Sequence, residues 1–397
     1  MLDKKKILKE ITGNKNFNIT VSEPFNHKAI EFLNDFSNAL KKQKKTSIYP
    51  DLIYLMFWCS KNRITSLAKN NTDYNNTRLG RGLVFHVTPS NVPTNFIYSF
   101  FFGLLSGNSN IIKIPSKKIQ EKKIILSALK SILNKKKYSK IKFSNLFIEF
   151  DNKSNITEKI SSISDARVIW GGDQTINEIR KIWTPPRTID LTFADRYSLS
   201  IINLNRLKNK NTHEIKLLAK NFFYDGYLMN QAACNSPHFI FWSGKKNNKI
   251  QNFFWKELSV IVKKKFLFDN IHVVDKYTNL VNNIIIHKNF KSIKRYKNYV
   301  YVLEPNKKIS QIENIRGSNG TFFQKNIRGI NNLKKYITKK CQTVSYFGFE
   351  KNELKKFILN SNLLGADRFV PIGKALDIDI VWDGYEVVKS LSRTISL

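Results

Sequence analysis

Residues 82–93 read Gly-Leu-Val-Phe-His-Val-Thr-Pro-Ser-Asn-Val-Pro, a short apolar run that ends in a turn rich in proline and serine. The run predicts a buried strand, and the apolar residues from the turn to Leu105 predict a helix. The same alternation continues in strands at 111–115, 145–150 and 168–170 and helices at 117–133, with Ser116 as N-cap, and 174–182. It predicts an α/β fold with parallel sheets, whose ligands bind beyond the carboxyl ends of the strands.

On both sides of this region the pattern changes. Residues 1–75 are predicted to form an N-terminal helical segment with helices at 25–40 and 51–67. After residue 205 a second α/β unit begins, with helices at 214–227 and 253–262 and strands at 239–242, 283–287, 299–303 and 341–347. We therefore expect a domain at 76–205, a second domain at 206–364 and a C-terminal return at 365–397.

The composition is that of a globular protein. With 397 residues, 42% hydrophobic and 24% charged, the chain is long enough for two ordinary domains. Its three cysteines, Cys59, Cys234 and Cys341, form no C-x-x-C pair, which favours a reducing compartment. The N-terminus lacks the apolar segment of a signal peptide, and no apolar run approaches the roughly 20 residues needed to span a bilayer. We expect a cytoplasmic protein without a membrane span.

The formal net charge of +37 raises the possibility of nucleic-acid binding. However, the lysines are scattered along the whole chain in short clusters among asparagine and isoleucine, and no RNP-type pattern, zinc finger or KH-like loop accompanies them. A compositional bias explains this distribution better than a binding footprint does, so nucleic acid is not the expected partner.

Residues 230–237, Asn-Gln-Ala-Ala-Cys-Asn-Ser-Pro, place a cysteine among small side chains between a predicted helix and a predicted strand. A thiol on such a connection can face a cleft, and a helix dipole or a neighbouring cation or base would activate it as a nucleophile. The alternative is a small buried side chain with a packing role. Cys341 is the rival thiol, whereas Cys59 lies in a helical apolar pattern and is interpreted as core.

The usual dinucleotide fingerprint is missing, since no G-x-G-x-x-G follows any predicted strand. Gly171, Gly172 and Asp173 precede a helix and could offer backbone N–H groups to a phosphate, although the same residues also suit an ordinary turn. Lys113, at a strand end, is either a solvated charge or a ribose or phosphate contact. His86 is interpreted as a packed residue, and no cluster of Asp, Glu and His has metal-ligand spacing.

Four stretches together resemble the long-chain acyl-CoA reductase family, the reductase component of the bacterial luciferase fatty-aldehyde system. They are residues 81–93 (RGLVFHVTPSNVP), 166–173 (ARVIWGGD), 190–198 (DLTFADRYS) with 231–234 (QAAC), and 367–376 (DRFVPIGKAL). That family is a branch of the aldehyde dehydrogenase superfamily. The resemblance implies two Rossmann-like α/β domains with parallel sheets and an active-site cleft between them.

The resemblance also implies a reaction, the NADPH-dependent reduction of a fatty acyl thioester to the aldehyde. Cys234 would attack the thioester carbonyl and hold the acyl group as a thioester. Asn91, which matches the asparagine of the superfamily's Pro-x-Asn turn, would donate a hydrogen bond to the oxyanion. The superfamily's Glu-Leu-Gly-Gly segment, which carries the general base of hydrolytic members, has no clear counterpart here, and the nearest stretch is 190–193.

The cofactor-binding residues implied by the resemblance lie in both predicted domains. They are Thr88, Pro89, Ser90, Lys113, Ser116, Gly171, Gly172, Asp173 and Gln342. The superfamily has Gly-Ser where this chain has Gly172 and Asp173, which puts a negative side chain near the pyrophosphate.

The implied acyl donor is a fatty acyl-CoA or an acylated protein, with an acyl-protein synthetase as a partner and a homo-oligomeric assembly. Two alternatives stay open. One is a CoA-acylating aldehyde dehydrogenase that runs in the oxidative direction. The other is a basic nucleic-acid-binding protein that has kept the fold without activity.

Overall fold

A computed structural model describes residues 8–12, 17–71, 76–90, 92–117, 119–151, 154–266, 270–287, 290–306 and 311–397. The chain forms two compact units: the first unit comprises Met1–Asp195 and Ile378–Leu397, and the second unit comprises Arg196–Asp377. The expected domain boundaries, after residues 205 and 364, differ from these. The reason is that the strands Tyr197–Asn203 and Arg368–Pro371 both pair within the sheet of the second unit.

The helices and strands of the described residues are as follows. The α-helices are α1 (His27–Lys42), α2 (Pro50–Trp58), α3 (Lys61–Asn71), α4 (Asn95–Leu105), α5 (Gln120–Leu133), α6 (Ser139–Phe143), α7 (Ile156–Ser161), α8 (Asp173–Arg180), α9 (Leu204–Leu207), α10 (Thr212–Tyr227), α11 (Asn248–Lys265), α12 (Asn270–His287), α13 (Lys351–Ser361) and α14 (Val387–Ser390). Short 3-10 helices span Thr46–Ile48, Lys136–Tyr138, Ile312–Asn314 and Ile330–Tyr336. The strands are β1 (Leu8–Thr12), β2 (Thr77–Gly80), β3 (Leu83–Val87), β4 (Ser109–Lys113), β5 (Asn145–Phe150), β6 (Ala166–Trp170), β7 (Ile189–Phe193), β8 (Tyr197–Asn203), β9 (Pro237–Ser243), β10 (Phe290–Tyr296), β11 (Val300–Pro305), β12 (Thr321–Ile327), β13 (Cys341–Phe347), β14 (Arg368–Pro371), β15 (Val381–Trp382), β16 (Tyr385–Glu386) and β17 (Ser392–Ile395).

The first unit is built on a six-stranded sheet in the order β1-β5-β4-β3-β6-β7. All neighbours are parallel except β1, which pairs antiparallel with β5. Every residue of β3 is buried, as expected for a strand covered by helices on both faces. From β3 the chain adds β4 and β5 on one side and later β6 and β7 on the other. The switch point, where a ligand crevice forms in such sheets, therefore lies between β3 and β6.

Side chains alternate along these strands between two apolar layers. Val84, Ile112 and Phe147 pack with the residues of α1 to α5 and α14 on one face. Phe85 and Ile148 point to the other face, where α7 and α8 cover them. Because successive side chains point to opposite faces, a short apolar run contributes buried residues to both layers.

The second unit is built on a seven-stranded sheet in the order β10-β11-β12-β9-β8-β13-β14, parallel except for the antiparallel edge strand β10. α10 and α11 cover one face, on which Ile240, Trp242 and Phe322 are buried. α12 and α13 cover the other, on which Phe239 and Phe323 are buried. The predicted α/β fold with parallel sheets is thus present in both units.

Three local predictions differ from the structure. The helix expected over 51–67 is two helices, α2 and α3, because the chain turns at Cys59 and Ser60 and the Lys61 N–H is accepted by the side-chain oxygen of Asn34. The strand expected at 283–287 is the last turn of α12, and a short apolar run does not distinguish the two by itself. Ser116 does not cap α5, which begins at Gln120 after an extended Ile119.

The predicted N-terminal helical segment contains α1 to α3 but also the strand β1. Among the helices that the structure describes, none is both long enough and apolar enough to cross a membrane.

Candidate active site

Cys234 is the most accessible of the three cysteines. All three lie in the described part of the chain and none forms a disulfide; Cys59 and Cys341 are fully buried, whereas Cys234 is half-buried. Burial raises the pKa of the Cys341 thiol to about 12 and that of Cys59 well above its usual value. Since the thiolate is the nucleophile, neither buried cysteine suits this role at neutral pH. The exposure of Cys234 and the raised pKa of the buried Cys341 thiol both favour Cys234 as the candidate nucleophile.

The loop that carries Cys234, residues 228–236, connects the end of α10 to the start of β9. Asn230 and Gln231 both adopt left-handed backbone conformations, with φ of 51° and 63°. Asparagine tolerates this region, but glutamine adopts it only where other contacts stabilise it. Hydrogen bonds of the Gln231 side chain stabilise it here: the amide donates to the carbonyls of Pro237 and Thr321 at 3.2 and 3.0 Å and accepts from the Gly320 N–H at 3.0 Å.

Ser198, at the start of β8, holds the backbone of the cysteine itself. Its hydroxyl donates to the Cys234 carbonyl at 2.6 Å and accepts from the Thr343 N–H at 3.2 Å. The carbonyl of Cys234 is thereby tied to two neighbouring strands, β8 and β13. The backbone of Cys234 is therefore fixed relative to these two strands.

Replacing Ser198 with alanine should leave the Cys234 carbonyl and the Thr343 N–H without this partner. We expect a loss of about 1–3 kcal/mol in unfolding free energy and a less firmly held Cys234. Ser200→Ala is the matched control, because Ser200 is equally buried on the same strand but bonds to Ser345. Urea unfolding should show comparable losses for both variants, and only Ser198→Ala should raise the rate at which iodoacetamide alkylates Cys234. Equal alkylation rates in the two variants would show that Ser198 has no part in holding the thiol.

His238, near the start of β9, is buried and does not lie in solvent as a strand-end histidine might. Its Nδ1 accepts a hydrogen bond from the Gly317 N–H at 3.1 Å. Burial and the positive charge of Arg316 hold its pKa at about 3, so the ring is neutral at physiological pH and a weak base. His238 therefore holds the backbone at Gly317 and is not placed as a general base.

In the first unit, the implied cofactor-binding residues gather at the carboxyl edge of the six-stranded sheet. Thr88 follows β3, Lys113 ends β4 and Gly171 follows β6, and these three strands are adjacent. The Thr88 hydroxyl donates to the Lys113 carbonyl at 2.6 Å, which links the ends of β3 and β4. This edge contains the switch point described above, where ligands of doubly wound sheets bind.

Lys113 is half-buried and its ammonium lies 4.5 Å from the centre of the Phe150 ring. Burial lowers the pKa of this lysine, and the charge of Asp151 opposes the shift. Attraction to the ring restricts the positions of the ammonium group more than bulk solvent would. The Lys113 side chain is therefore held against Phe150.

Gly172 is the N-cap of α8, and Asp173 is an exposed residue in the first turn of that helix. A Cβ added at Gly172 would meet no atom within 4 Å, so the position beside this residue is open. Backbone N–H groups at a helix N-terminus attract anions. The Asp173 carboxylate, however, already occupies the favourable end of the helix dipole and would repel a phosphate.

The other predicted site residues are distributed unevenly. Pro89 is half-buried and Ser90 and Ser116 are exposed, all in the first unit. Gln342 lies in β13 of the second unit with only 2% of its surface exposed. Asn91 lies outside the described residues.

His86 belongs to a buried polar chain in the core of the first unit. The Trp170 indole N–H donates to the Ser99 hydroxyl at 3.0 Å, and Ser99 lies 2.8 Å from His86 Nδ1. His86 Nε2 lies 2.9 Å from the Asn110 amide oxygen, an acceptor, which fixes the proton on Nε2. Burial lowers the pKa of His86 to about 4. The ring is a neutral core residue, as the sequence suggested.

Asp190, the residue nearest in sequence to the missing general base, is engaged elsewhere. Its two carboxylate oxygens accept from Nε and Nη2 of Arg167 at 2.7 and 2.8 Å. Arg167 is 2% exposed and also donates to the Ile179 carbonyl at 2.9 Å. The carboxylate therefore holds β6 and β7 together and is not placed to activate a water molecule.

The six-stranded sheet with its switch point between β3 and β6, and the second, mostly parallel sheet, give the chain an aldehyde dehydrogenase-like fold. Solved structures confirm the fold. An oxidoreductase from Marinobacter aquaeolei matches with a TM-score of 0.65 and 11% identity over 97% of this chain and 88% of that one. A salicylaldehyde dehydrogenase from Pseudomonas putida G7 matches with a TM-score of 0.63 and 11% identity over 94% and 85% of the two chains. A glyceraldehyde-3-phosphate dehydrogenase (GapN) from Methanocaldococcus jannaschii, solved with NADP, matches with a TM-score of 0.60 and 14% identity over 94% and 90%.

The chain belongs to the acyl-CoA reductase (LuxC) family. The family model matches residues 24–266, which is more than half of the chain. A curated relative, the long-chain acyl-protein thioester reductase of Aliivibrio fischeri, is 25% identical over 164 residues. That alignment spans 41% of this chain and 32% of the relative, about a third of the relative's length. The family inferred from the sequence is confirmed, and the matched region contains the first three of the four stretches.

Residue-by-residue reasoning missed the roles of Ser198, Gln231 and Arg167. All three stand inside the stretches that carry the resemblance, which was the available signal. Nothing in their local sequence shows their partners, because Ser198 bonds to residues 36 and 145 positions away.

Proposed function

We propose that this protein reduces a fatty acyl thioester to the aldehyde with NADPH, through an acyl group held on Cys234. The observation that carries the proposal is the loop of residues 228–236. It presents the one half-exposed thiol of the chain, braced by Gln231 and Ser198, in a protein of the acyl-CoA reductase (LuxC) family.

In the acylation step, the Cys234 thiolate attacks the thioester carbonyl. A carbon–sulfur bond to Cys234 forms, the bond to the donor's sulfur breaks, and the donor leaves as a thiolate that takes up a proton. We assign to Asn91 and to the Cys234 backbone N–H the hydrogen bonds that stabilise the oxyanion. One such donor contributes roughly 3 kcal/mol in comparable sites.

The donor groups at the carboxyl edge of the first sheet suit a nicotinamide dinucleotide. Ser90 and Ser116 offer exposed hydroxyls, Thr88 offers its hydroxyl oxygen as an acceptor, and Lys113 offers a cation for a ribose or phosphate. The Asp173 carboxylate opposes a pyrophosphate directly at the end of α8, so we expect the phosphates to lie nearer to Lys113. We assign Pro89, Gly171 and Asp173 to the walls of this site and Gln342 to the nicotinamide side. When bound, NADPH would supply the hydride that reduces the acyl group.

The engagement of Asp190 by Arg167 supports reduction over hydrolysis. A protein that holds an acyl group as a thioester releases free acid if a carboxylate activates water beside it. The nearest candidate carboxylate in the sequence is locked in a bidentate ion pair. Transfer of the acyl group between thiols needs no such base.

The acyl donor on this proposal is a fatty acyl-CoA or an acylated protein, and the printed name of the curated relative, an acyl-protein thioester reductase, favours the second. An acyl-protein synthetase is the partner that would deliver such a group. A homo-oligomeric state is part of the same proposal.

The function is tested by mixing the purified full chain with tetradecanoyl-CoA and NADPH and following the reduced-nicotinamide absorbance while aldehyde is trapped as a hydrazone. We expect stoichiometric loss of NADPH and formation of aldehyde, with a slower reaction when NADH replaces NADPH. Production of free fatty acid without NADPH consumption would contradict the proposal. A reaction that proceeds only from aldehyde, NADP and CoA would establish the oxidative direction instead.

A further inference from the structure

A short segment after β14, Gly373–Asp377, lies against α10 and is here called the strap. Asp225, in the last turn of α10, accepts the Gly373 N–H on one carboxylate oxygen at 2.7 Å and the Ala375 N–H on the other at 2.9 Å. Gly373 has a φ of +97°, and a Cβ there would lie 2.8 Å from the Cβ of Asn221. The strap therefore packs closely against α10. Asp225 holds its Gly373 and Ala375 N–H groups, and Arg368 donates to its Asp377 carbonyl at 2.8 Å.

Ala375 connects the strap to the cysteine loop. Its N–H goes to Asp225, and its carbonyl accepts from the Asn235 side-chain amide at 2.7 Å and from Arg368 at 3.0 Å. Ala375 is fully buried, so these bonds do not compete with water. Asn235 is the residue next to Cys234. Two hydrogen bonds and one residue, Ala375, thus separate Asp225 from the loop residue beside the thiol.

The charge on Asp225 decides whether the Gly373 and Ala375 N–H groups are both accepted. An ionised carboxylate accepts both N–H groups, whereas a protonated one turns one oxygen into a donor that faces a donor. Burial raises the pKa of Asp225 to about 7, opposed by its two backbone hydrogen bonds; the charge of Asp377 adds to the rise and that of Arg368 opposes it.

A carboxyl whose pKa is raised on folding adds stability below its unfolded pKa, near 4, and loses that contribution as the pH rises through about 7. Ionisation of Asp225 at neutral pH therefore lowers the stability of the fold. What ionisation provides is a carboxylate that accepts both N–H groups of the strap.

We propose that Asp225 is a positioning residue for Cys234, acting through the strap and Asn235. The inference rests on the proposed role of Cys234 as the nucleophile. Ionised Asp225 fixes the strap, the strap fixes Asn235, and the thiol is held in the orientation that the acyl thioester meets. Release of the strap leaves the thiol more exposed to a small reagent and less well oriented for the acyl donor.

The test compares the wild type with Asp225→Asn and Asn235→Ala, with Asp275→Asn on the exposed face of α12 as the matched control. The alkylation rate of Cys234 by iodoacetamide is measured by mass spectrometry of its peptide from about pH 5.5 to about pH 8.5. The peptides of Cys59 and Cys341 report any global unfolding, because both thiols are fully buried.

We expect the ratio of wild-type to Asp225→Asn alkylation rates to be near one at the acid end and to fall about fivefold across a step centred near pH 7, where Asp225 ionises. Asn235→Ala should show the same fast alkylation as Asp225→Asn and the same lack of a step, although Asp225 still titrates in it. Both variants should lower kcat with little change in KM, and Asp275→Asn should match the wild type throughout.

A flat ratio, or a step that persists in Asn235→Ala, would overturn the proposal. If Asp225→Asn does not fold, the ratio of wild type to Asn235→Ala decides by itself. The alkylation measurement needs no turnover, so it tests the link between Asp225 and Cys234 by itself. A finding that Cys234 is not the catalytic thiol would instead contradict the proposed function.

Discussion

Replacement of Cys234 with alanine is expected to abolish the acyl-enzyme and to lower acyl-thioester reduction on the order of 10⁴-fold, since loss of a covalent nucleophile leaves only binding and oxyanion stabilisation. The physical reason is the placement of the three thiols. Cys234 is half-exposed on its loop, whereas the other two are sealed in the core with pKa values raised by burial.

The effect is measured as NADPH consumption with tetradecanoyl-CoA and as the mass of the intact protein after a short exposure to the thioester without cofactor. Wild type should gain the mass of one acyl group, and Cys234→Ala should gain none. Cys341→Ala is the matched control, because it removes a thiol that the substrate does not reach. Undiminished reduction by Cys234→Ala, or loss of the acyl adduct in Cys341→Ala, would assign the chemistry to another residue.

The largest effect on stability is expected at the buried ion pair of the first unit. Asp190→Asn removes the charge that faces Arg167 in a site where the guanidinium is 2% exposed. An uncompensated buried charge of this kind costs about 3–5 kcal/mol of unfolding free energy. Urea denaturation of wild type and variant measures the loss.

The control for this prediction is Asp379→Asn, which weakens an ion pair of the same unit between Arg63 and Asp379 that is about 40% exposed on both sides. That change should cost less than about 1 kcal/mol, because exposed ion pairs contribute little. Replacing both buried partners, as Arg167→Met with Asp190→Leu, should recover most of the lost stability. A double variant no more stable than Asp190→Asn would show that hydrogen bonding to the Ile179 carbonyl, and not the charge pair, is what matters.

The α/β architecture was predictable because apolar runs such as 83–87 and 239–242 are buried on both faces of a parallel sheet, and their composition identifies such strands. The boundary between the two units was harder to predict. The strand at 197–203 follows directly after β7 in sequence, yet it pairs with β9 and β13, and only long-range pairing shows to which sheet it belongs.

The candidate nucleophile was predictable from one cysteine among small residues, but the groups that hold it were not. The left-handed backbone at Gln231 depends on three hydrogen bonds, two of them to residues about 90 positions further along the chain. The pairing of Asp190 with Arg167 likewise joins adjacent strands whose register is a tertiary property. Such contacts are decided by packing, and local sequence carries no record of them.

The first unit is discontinuous in the chain, since Met1–Asp195 is completed by Ile378–Leu397. The late segment supplies Trp382, Val387 and Leu391 to the first unit's core, and β17 pairs with β2. The second unit is one uninterrupted stretch of chain, so its sheet and the cysteine loop form from contiguous residues. The core of the first unit depends on two segments separated by the whole second unit, so contacts far apart in sequence must form before that core is complete.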